Sequence, residues 1–360
     1  MRSVRLLAAL LAFGLAACAQ PLARPRTQPV PTVSLLGEGP LVVPFGLRID
    51  GLRVGGLSAI ARAPDGTYLA LVDNDEETAA RVFRLAFQVN ENGVTPPVGE
   101  TARQVPVAAI LLQGLDGRNF DGEGIALEPG GGILISSETE PSILELSADG
   151  RPTQTLPVPL PFVAAEGRGI RRNQGFESLS LSPAGDALWT ATERALQQDT
   201  PDHAARPSPV RLLRYERRGN AFVPGAQFVY EVEPIERPGI GFMIRGLAEL
   251  LALPGGDLLA LEREFVTGRG FEIQIYRVSL AGATDVSGFE ALAGRTYAPV
   301  RKILIYDFAR AGFVPDNLEG MTWGPPLPDG SSTLVLVSDN NFGRLQQTQI
   351  LALRWIESAP

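Results

Sequence analysis

Acidic residues that recur at fixed places in a repeated unit are the side chains of this 360-residue chain best suited to chemistry. Four of them open an apolar run in successive copies: Glu123, Glu177, Glu249 and Glu319. Further acids follow the second apolar run of a copy. Carboxylates that are brought together repel one another unless a cation, a shared proton or an arginine compensates their charge. The pattern therefore predicts an acidic metal site. Its candidate ligands are Glu123, Glu138, Glu177, Glu262, Glu319 and Asp339.

Calcium is the ion that we expect at this site, because it accepts several hard oxygen ligands in irregular geometry. The ion would lower the pKa of a bound water, and an acid that is not a ligand would accept the proton. The candidates for this catalytic step are Glu123, Glu177, Glu249 and Glu319. Each of them could instead hydrogen-bond backbone amides of a neighbouring unit, which is the structural alternative.

Arginines close to these acids in the sequence could bind a substrate. They are Arg118, Arg194, Arg245, Arg263 and Arg344. A guanidinium group binds phosphate or carboxylate through two parallel hydrogen bonds. The same arginines could also do no more than neutralise nearby acids in ion pairs. A small ester or phosphate is therefore the ligand that we expect.

Other chemistries are disfavoured by what the chain lacks. The only histidine, His203, lies in a polar stretch, and the only cysteine, Cys18, is close to the N-terminus. Histidine-ligated zinc, a cysteine nucleophile and a Ser-His-Asp triad are therefore not expected. A net charge of −8 leaves no broad basic face, so nucleic acid is not an expected partner.

The repeated unit consists of two short apolar runs joined by a turn rich in proline and glycine, and it occurs five times. Such a unit is typical of the inner hairpin of a propeller blade, and two more strand-like runs follow most copies. The fifth copy has one run only, whereas an unused run at residues 41–49 precedes the first copy. We predict an all-β, five-bladed β-propeller, a monomer, whose ring is closed by this N-terminal strand. A sixth blade within residues 279–301 is the alternative.

The N-terminus has the features of an export signal. Arg2 and Arg5 precede an apolar run at residues 6–15, which is too short to span a membrane in the mature protein. The stretch Leu15-Ala16-Ala17-Cys18 resembles the lipobox of bacterial lipoproteins, which are cut before the cysteine and acylated on it. We therefore expect lipidation of Cys18.

These features divide the chain into three parts. Residues 1–17 are the expected signal peptide, residues 18–32 are the lipidated cysteine with a proline-rich tether, and residues 33–360 are the propeller domain. The expected location is the cell envelope, on the outer membrane and facing the periplasm. The lipid anchor is then the only expected contact with the membrane.

Several stretches of the repeats resemble the phytase-like family, also called "esterase-like activity of phytase", which comprises exported bacterial propellers. The stretches are Asp121-Gly122-Glu123-Gly124, Ser137-Glu138, Phe176-Glu177-Ser178-Leu179, Leu261-Glu262-Arg263, Asn317-Leu318-Glu319-Gly320 and Ser338-Asp339-Asn340-Asn341-Phe342. Their order and repetition cover nearly all of the predicted domain. The resemblance implies hydrolysis of phosphate or other esters. The family is in turn distantly similar to calcium-dependent propeller phytases, which implies calcium as the ion.

Three functions remain open at this point. The first is a calcium-dependent hydrolase of phosphate or other esters that works at the mouth of the channel. The second is a non-catalytic propeller of the cell envelope that binds a ligand or a protein. The third is a calcium-dependent lactonase, since such propellers use channel carboxylates and asparagines around one metal ion.

Overall fold

The computed structural model describes residues 30–73, 79–117, 120–200 and 206–358. Within these residues the regular structure is almost entirely β-strand, with short 3₁₀ helices at Ala102–Gln104 and Leu160–Phe162. No helix of the described part is long and apolar enough to cross a membrane. The predicted signal peptide and Cys18 lie outside the described residues.

Four short strands come first, and five sheets, here called blades, follow. The first strands are β1 (Thr32–Leu35), β2 (Leu41–Val43), β3 (Arg48–Ile49) and β4 (Leu52–Arg53). Blade 1 contains β5 (Leu57–Arg62), β6 (Tyr68–Val72), β7 (Ala79–Leu85) and, after the hairpin β8 (Gln88–Asn90) and β9 (Gly93–Thr95), β10 (Pro106–Asp116). Blade 2 contains β11 (Gly122–Leu127), β12 (Ile133–Ser137), β13 (Ser142–Leu146) and β14 (Pro152–Thr155). Blade 3 contains β15 (Phe176–Leu181), β16 (Ala187–Thr192), β17 (Ser208–Arg218) and β18 (Ala221–Val232). Blade 4 contains β19 (Met243–Ala252), β20 (Leu258–Val266), β21 (Gly270–Ser279) and β22 (Arg301–Asp307). Blade 5 contains β23 (Leu318–Trp323), β24 (Ser332–Ser338), β25 (Thr348–Ile356) and β1, with β2 also paired to β25.

In the described part of the chain these five antiparallel sheets confirm the predicted propeller. The innermost strands β5, β11, β15, β19 and β23 contact one another in a ring. A separate hydrophobic cluster fills each of the five spaces between neighbouring blades. Because a blade packs between two others, its second strand is buried on both faces, as in β6 and β12. Such strands are therefore continuous apolar runs and do not alternate with polar residues.

Ring closure uses the N-terminal segment, as predicted, but with other bounds. β1 pairs with the second half of β25, and β2 pairs with its first half. The expected closing strand at residues 41–49 contributes only its first three residues to the blade. The chain then turns away at Gly46, where φ is +77°, and forms the β3–β4 hairpin. Thr32, which we had assigned to the tether, is already part of β1.

The alternative of a sixth blade is wrong, because residues 280–300 form no strand. They cover the outer strand of blade 3 instead, and the N–H of Val286 donates to a backbone carbonyl of β18 at 2.8 Å. A fully buried ion pair, Asp199 with Arg211 at 2.7 Å, lies beneath them. The N–H of Leu292 also donates to Asp199, so buried polar groups hold the segment without strand pairing.

Candidate functional site

A β-bulge at the start of every innermost strand positions the candidate residues. In each strand the pairing with the second strand of the blade skips one residue at this place. The skipped residues are Ser58, Glu123, Glu177, Ala248 and Glu319. A bulge takes a side chain out of the regular alternation of the strand. The three glutamates of this set line one cavity.

The cavity has a volume of about 960 Å³, which is within the range of small-molecule sites. It lies where the innermost strands begin and the second strands of the blades end. Its acidic lining residues are Asp73, Glu123, Glu138, Glu177, Glu193, Asp316, Glu319 and Asp339. Most of them are buried, so their charges are poorly screened by water.

Three acids from blades 1 and 2 stand close enough to share a metal ion. One carboxylate oxygen from each of Asp73, Asp121 and Glu123 lies within 4.8 Å of the other two. The Glu123 residue is 8% exposed, and its carboxylate receives no hydrogen bond from the described residues. Ligand oxygens at about 2.3–2.6 Å from Ca²⁺ can stand up to about 5 Å apart. The geometry therefore fits one hard cation.

Arg263 on β20 supplies the positive charge in the part of the cavity that blades 3 to 5 form. Its guanidinium donates to Glu319 Oε1 at 2.7 Å, to Asn317 Oδ1 at 2.8 Å and to Glu193 Oε1 at 2.9 Å. The Asn317 amide also donates to Glu319 Oε1 at 2.9 Å. Burial lowers the pKa of Arg263, but the surrounding carboxylates raise it more, so the arginine stays charged.

Burial raises the pKa of five acids in the cavity: Glu123, Glu138, Glu177, Glu319 and Asp339. Burial, reinforced by Asp339 and opposed by Arg263, raises the pKa of Glu319 to about 8. Burial also raises the pKa of Asp339 to about 6. For Glu123 and Glu177, burial and then the neighbouring carboxylates raise the pKa well above the usual value. The site therefore retains protons at neutral pH unless a cation takes their place.

The sequence pattern of one protein family, described as "Phytase-like: Esterase-like activity of phytase", matches residues 52–342. The chain belongs to this family. The match runs from β4 to the loop between β24 and β25, and it includes every acid that lines the cavity. The resemblance that the repeats suggested is thus confirmed.

One curated relative of this phytase-like chain is an uncharacterized secreted protein from Arthroderma benhamiae, which is 27% identical over 212 residues. The match covers 48% of this chain. It covers 41% of the relative, so the phytase-like chain corresponds to less than half of that protein's length.

Solved structures similar to the phytase-like chain include a sugar dehydrogenase and a calcium-binding protein. The PQQ-bound aldose sugar dehydrogenase of Streptomyces coelicolor is 16% identical with a TM-score of 0.38, over 89% of this chain and 84% of that one. Regucalcin of Agrobacterium tumefaciens is 15% identical with a TM-score of 0.38, over 92% of this chain and 95% of that one. Neither similarity is close enough to bear on the chemistry of the cavity.

Glu249 of the phytase-like propeller does not join the acids of the cavity. The bulge of β19 falls on Ala248, so Glu249 lies one residue beyond the place of Glu123. Its carboxylate accepts hydrogen bonds from the backbone N–H of Leu250, at 2.9 Å, and from those of Leu179 and Met321. Glu249 therefore links blades 3, 4 and 5, which is the structural alternative considered above.

In the other blades, small residues occupy the position that Glu249 holds in blade 4: Ala59, Gly124, Ser178 and Gly320. A Cβ atom on Gly124 would lie 2.7 Å from the backbone nitrogen of Leu179. A Cβ atom on Gly320 would lie 2.9 Å from the Cα atom of Ala59. The innermost strands thus approach closely around the axis, and only one long side chain, that of Glu249, stands at this level of the ring.

Glu262 also lies apart from the cavity, in a separate buried network with Arg245. Arg245 Nε donates to Glu262 Oε2 at 2.8 Å, and the Tyr230 hydroxyl donates to Glu262 Oε1 at 2.7 Å. Lys302 Nζ donates to the same Oε1 at 2.6 Å. Two cations already compensate this carboxylate, so Glu262 has no need of a metal ion.

Of the remaining predicted arginines, the two that the structure describes, Arg194 and Arg344, do not line the cavity. Arg194 is buried and donates to the backbone carbonyl of Arg245. Arg344 is exposed and stands 5.9 Å from the ring centre of Phe45. Arg118 lies outside the described residues, as does His203. Of the predicted substrate-binding arginines that the structure describes, Arg263 is the one that reaches the cavity.

The candidate ligands predicted from the sequence do not include Asp73, Asp121 and Glu193, although Asp73 and Glu193 are among the acids that follow the second apolar runs. Asp73 and Glu193 follow the second strands of their blades, at the place that Glu138 and Asp339 hold in theirs. Position in the repeat was therefore the signal that could have added them to the candidate ligands. Asp121 precedes Glu123 by two residues within the stretch that carries the family resemblance. Its role depends on the approach of blade 1, which the local sequence does not reveal.

Proposed function

We propose that this protein is a metal-dependent ester hydrolase that works in the acidic cavity, with calcium as its ion. The observation that carries the proposal is the buried Glu123 carboxylate, which has no hydrogen-bond partner among the described residues and stands beside Asp73 and Asp121. A buried carboxylate costs free energy unless a positive charge compensates it. A cation held by these three acids supplies that charge.

The donor set indicates the kind of ion. All three side chains offer carboxylate oxygens, which suit calcium or magnesium, and the neighbouring lining residues offer more oxygens than nitrogens. Calcium tolerates irregular geometry better than magnesium, which demands a near-ideal octahedron. When bound, calcium would polarise the ester and lower the pKa of a nearby water.

The other residues of the cavity have distinct tasks in the proposed reaction. Glu177 has no hydrogen-bond partner among the described residues, and burial and its neighbours raise its pKa. Once a bound cation had displaced its proton, the carboxylate could accept the proton of the attacking water and return it to the leaving oxygen. Arg263 is held by Glu193 and Glu319 and offsets the negative charge that develops on the ester oxygen. Water adds its oxygen to the ester, the bond to the leaving alcohol breaks, and an acid and an alcohol are released.

The variant Glu123→Gln tests the proposal most directly. We expect calcium binding, measured by titration calorimetry, to weaken by about tenfold or more because one of three charged ligands becomes neutral. Hydrolysis of p-nitrophenyl acetate, p-nitrophenyl phosphate and a γ-lactone should fall in parallel, and chelation should abolish it. The control is Glu100→Gln, an exposed acid remote from the cavity, which should change neither quantity.

The outcomes separate the open functions. Calcium binding without turnover on any of the three substrates would indicate a non-catalytic binding propeller. Turnover of the lactone alone would indicate a lactonase. If calcium neither binds nor supports hydrolysis, the proposal is wrong.

We also propose that the protein is exported and anchored through Cys18 at the cell envelope, on the outer membrane and facing the periplasm. The support is the sequence of residues 1–18 and the name of the Arthroderma relative, which calls that protein secreted. Labelling with a palmitate analogue tests the anchor. Wild-type protein should be labelled and membrane-bound, whereas Cys18→Ser should be neither, and labelled Cys18→Ser would refute the proposal.

A further inference from the structure

One side of the cavity is apolar, in contrast to its acids. The apolar lining residues come from blade 4 and from the loops of blade 5: Phe242, Ile244, Phe265, Phe271, Val314, Pro315 and Leu345. We call this set the apolar wall. It is continuous with the acidic site, because both line the same cavity.

The apolar wall is unusually open to solvent for side chains of this kind. Leu345 is 100% exposed, Val314 is 71% exposed and Phe242 is 65% exposed. The ring of Phe265 stands 6.1 Å from that of Phe242 and 4.9 Å from that of Phe271, so the aromatic surface is continuous. Single exposed apolar residues are ordinary, but a patch gathered beside a site is typical of a ligand-binding surface.

The charges of the cavity indicate which ligand suits this wall. Among the described lining residues there are eight carboxylates and two arginines, Arg172 and Arg263, and no lysine or histidine. Arg263 is already paired with Glu193 and Glu319. A ligand with several phosphate groups would meet more repulsion than attraction there, even beside one divalent cation. An uncharged ligand avoids this repulsion.

We propose that the apolar wall binds the acyl chain of an uncharged carboxylic ester, while the ester group lies at the acids and Arg263. The inference rests on the proposed hydrolase function and adds the substrate class to it. A chain that lies on Phe242, Val314 and Leu345 removes both its own apolar surface and theirs from water. Each methylene group so buried should raise kcat/KM by about fourfold until the wall is covered.

A series of p-nitrophenyl esters from acetate to octanoate, with p-nitrophenyl phosphate alongside, tests the substrate class. We expect kcat/KM to rise along the series and the phosphate to be the poorest substrate. The variants Val314→Ser and Leu345→Ser should lower the ratio of octanoate to acetate kcat/KM several-fold. Their controls are Val98→Ser and Leu160→Ser, at exposed apolar residues outside the cavity, which should keep the wild-type ratio.

Two results would overturn the inference and leave the hydrolase function standing: calcium-dependent hydrolysis without chain-length preference, and an unchanged ratio in both wall variants. If no ester is hydrolysed at all, the hydrolase proposal fails, and binding of octanamide by calorimetry then tests the wall alone. Octanamide binding that weakens in Leu345→Ser supports an apolar ligand, and absent binding refutes it. The wall would instead contact a membrane if the protein bound phosphatidylethanolamine vesicles through Val314 and Leu345 and showed no preference for the acyl-chain length of the ester. That result would overturn the inference.

Discussion

Replacement of Glu249 by alanine should destabilise the propeller and leave the proposed metal site intact. The Glu249 carboxylate accepts hydrogen bonds from the N–H groups of Leu250, Leu179 and Met321, so the truncation leaves three buried donors without this acceptor. Each such donor costs about 1–3 kcal/mol, which gives a gross loss of about 3–9 kcal/mol. The carboxylate is itself buried, and burial raises its pKa, so its removal offsets part of that loss. We expect the free energy of unfolding at neutral pH to fall by about 2–5 kcal/mol.

Urea unfolding followed by tryptophan fluorescence measures this loss, and Glu249→Gln provides the matched comparison. Glutamine keeps the volume and one acceptor oxygen, so we expect it to lose about 1–2 kcal/mol. Calcium titration of both variants should give the wild-type affinity, because Glu249 does not line the cavity.

The opposite pattern would refute this reasoning. If Glu249→Ala kept the wild-type stability but lost calcium binding or hydrolysis, Glu249 would belong to the site. The bulge of β19 would then not exclude Glu249 from the site, and the four glutamates predicted from the sequence would act together.

Three further predictions concern protons, charges and packing. The pKa values of Asp339, about 6, and Glu319, about 8, are raised in the folded protein, which therefore binds more protons than the unfolded chain. Calcium-free protein should for this reason lose stability as the pH rises from about 4 to 8. Thermal unfolding should show that calcium restores more of the lost stability at pH 8 than at pH 5. In urea unfolding, Lys302→Met should lower the free energy of unfolding by about 3 kcal/mol, because Glu262 loses one of its two cations. The control Arg301→Met, at an exposed residue of β22, should have little effect. Gly124→Ala should cost about 1–3 kcal/mol in the same assay through overpacking against Leu179, whereas Gly288→Ala, with nothing within 4 Å of the added Cβ, should be nearly neutral. A constant stability from pH 4 to pH 8, or equal losses in a variant and its control, would contradict the respective prediction.

The fold was predictable because each blade repeats the same physical problem. A strand between two neighbouring sheets must be apolar on both faces, and a tight turn must join it to the innermost strand. β6, β12 and β24 therefore stand out as apolar runs that follow a turn rich in proline and glycine. The bounds of the closing strand were less predictable. β1 reads Thr32-Val33-Ser34-Leu35, and its outer-edge position leaves it half exposed, so it lacks a strong apolar signal.

The site was predictable only in part, because its geometry depends on a skipped residue. A bulge leaves no mark in the sequence that distinguishes Ala248 from Glu249, and a carboxylate one position later enters a different environment. The same limit applies to Glu262 and Arg263, which are adjacent in sequence but lie in different networks, since alternate residues of β20 face opposite sides. Cross-blade partners decide the role of each acid, and those partners are far apart in the chain.

Single blades depart from the repeat and thereby place different residue types on different sides of the cavity. Blade 4 carries Ala248 at the bulge where three other blades carry glutamate, and the same blade supplies Arg263 and the aromatic half of the apolar wall. Blade 1 carries Ser58 there and supplies Asp73 from its second strand. Five identical blades would surround the axis with equal charge, which suits an ion but not an ester with a polar end and an apolar end. The cavity therefore has two unlike sides: the acids of blades 1 and 2, which would hold the proposed ion, and the apolar wall at blades 4 and 5, with Arg263 between them.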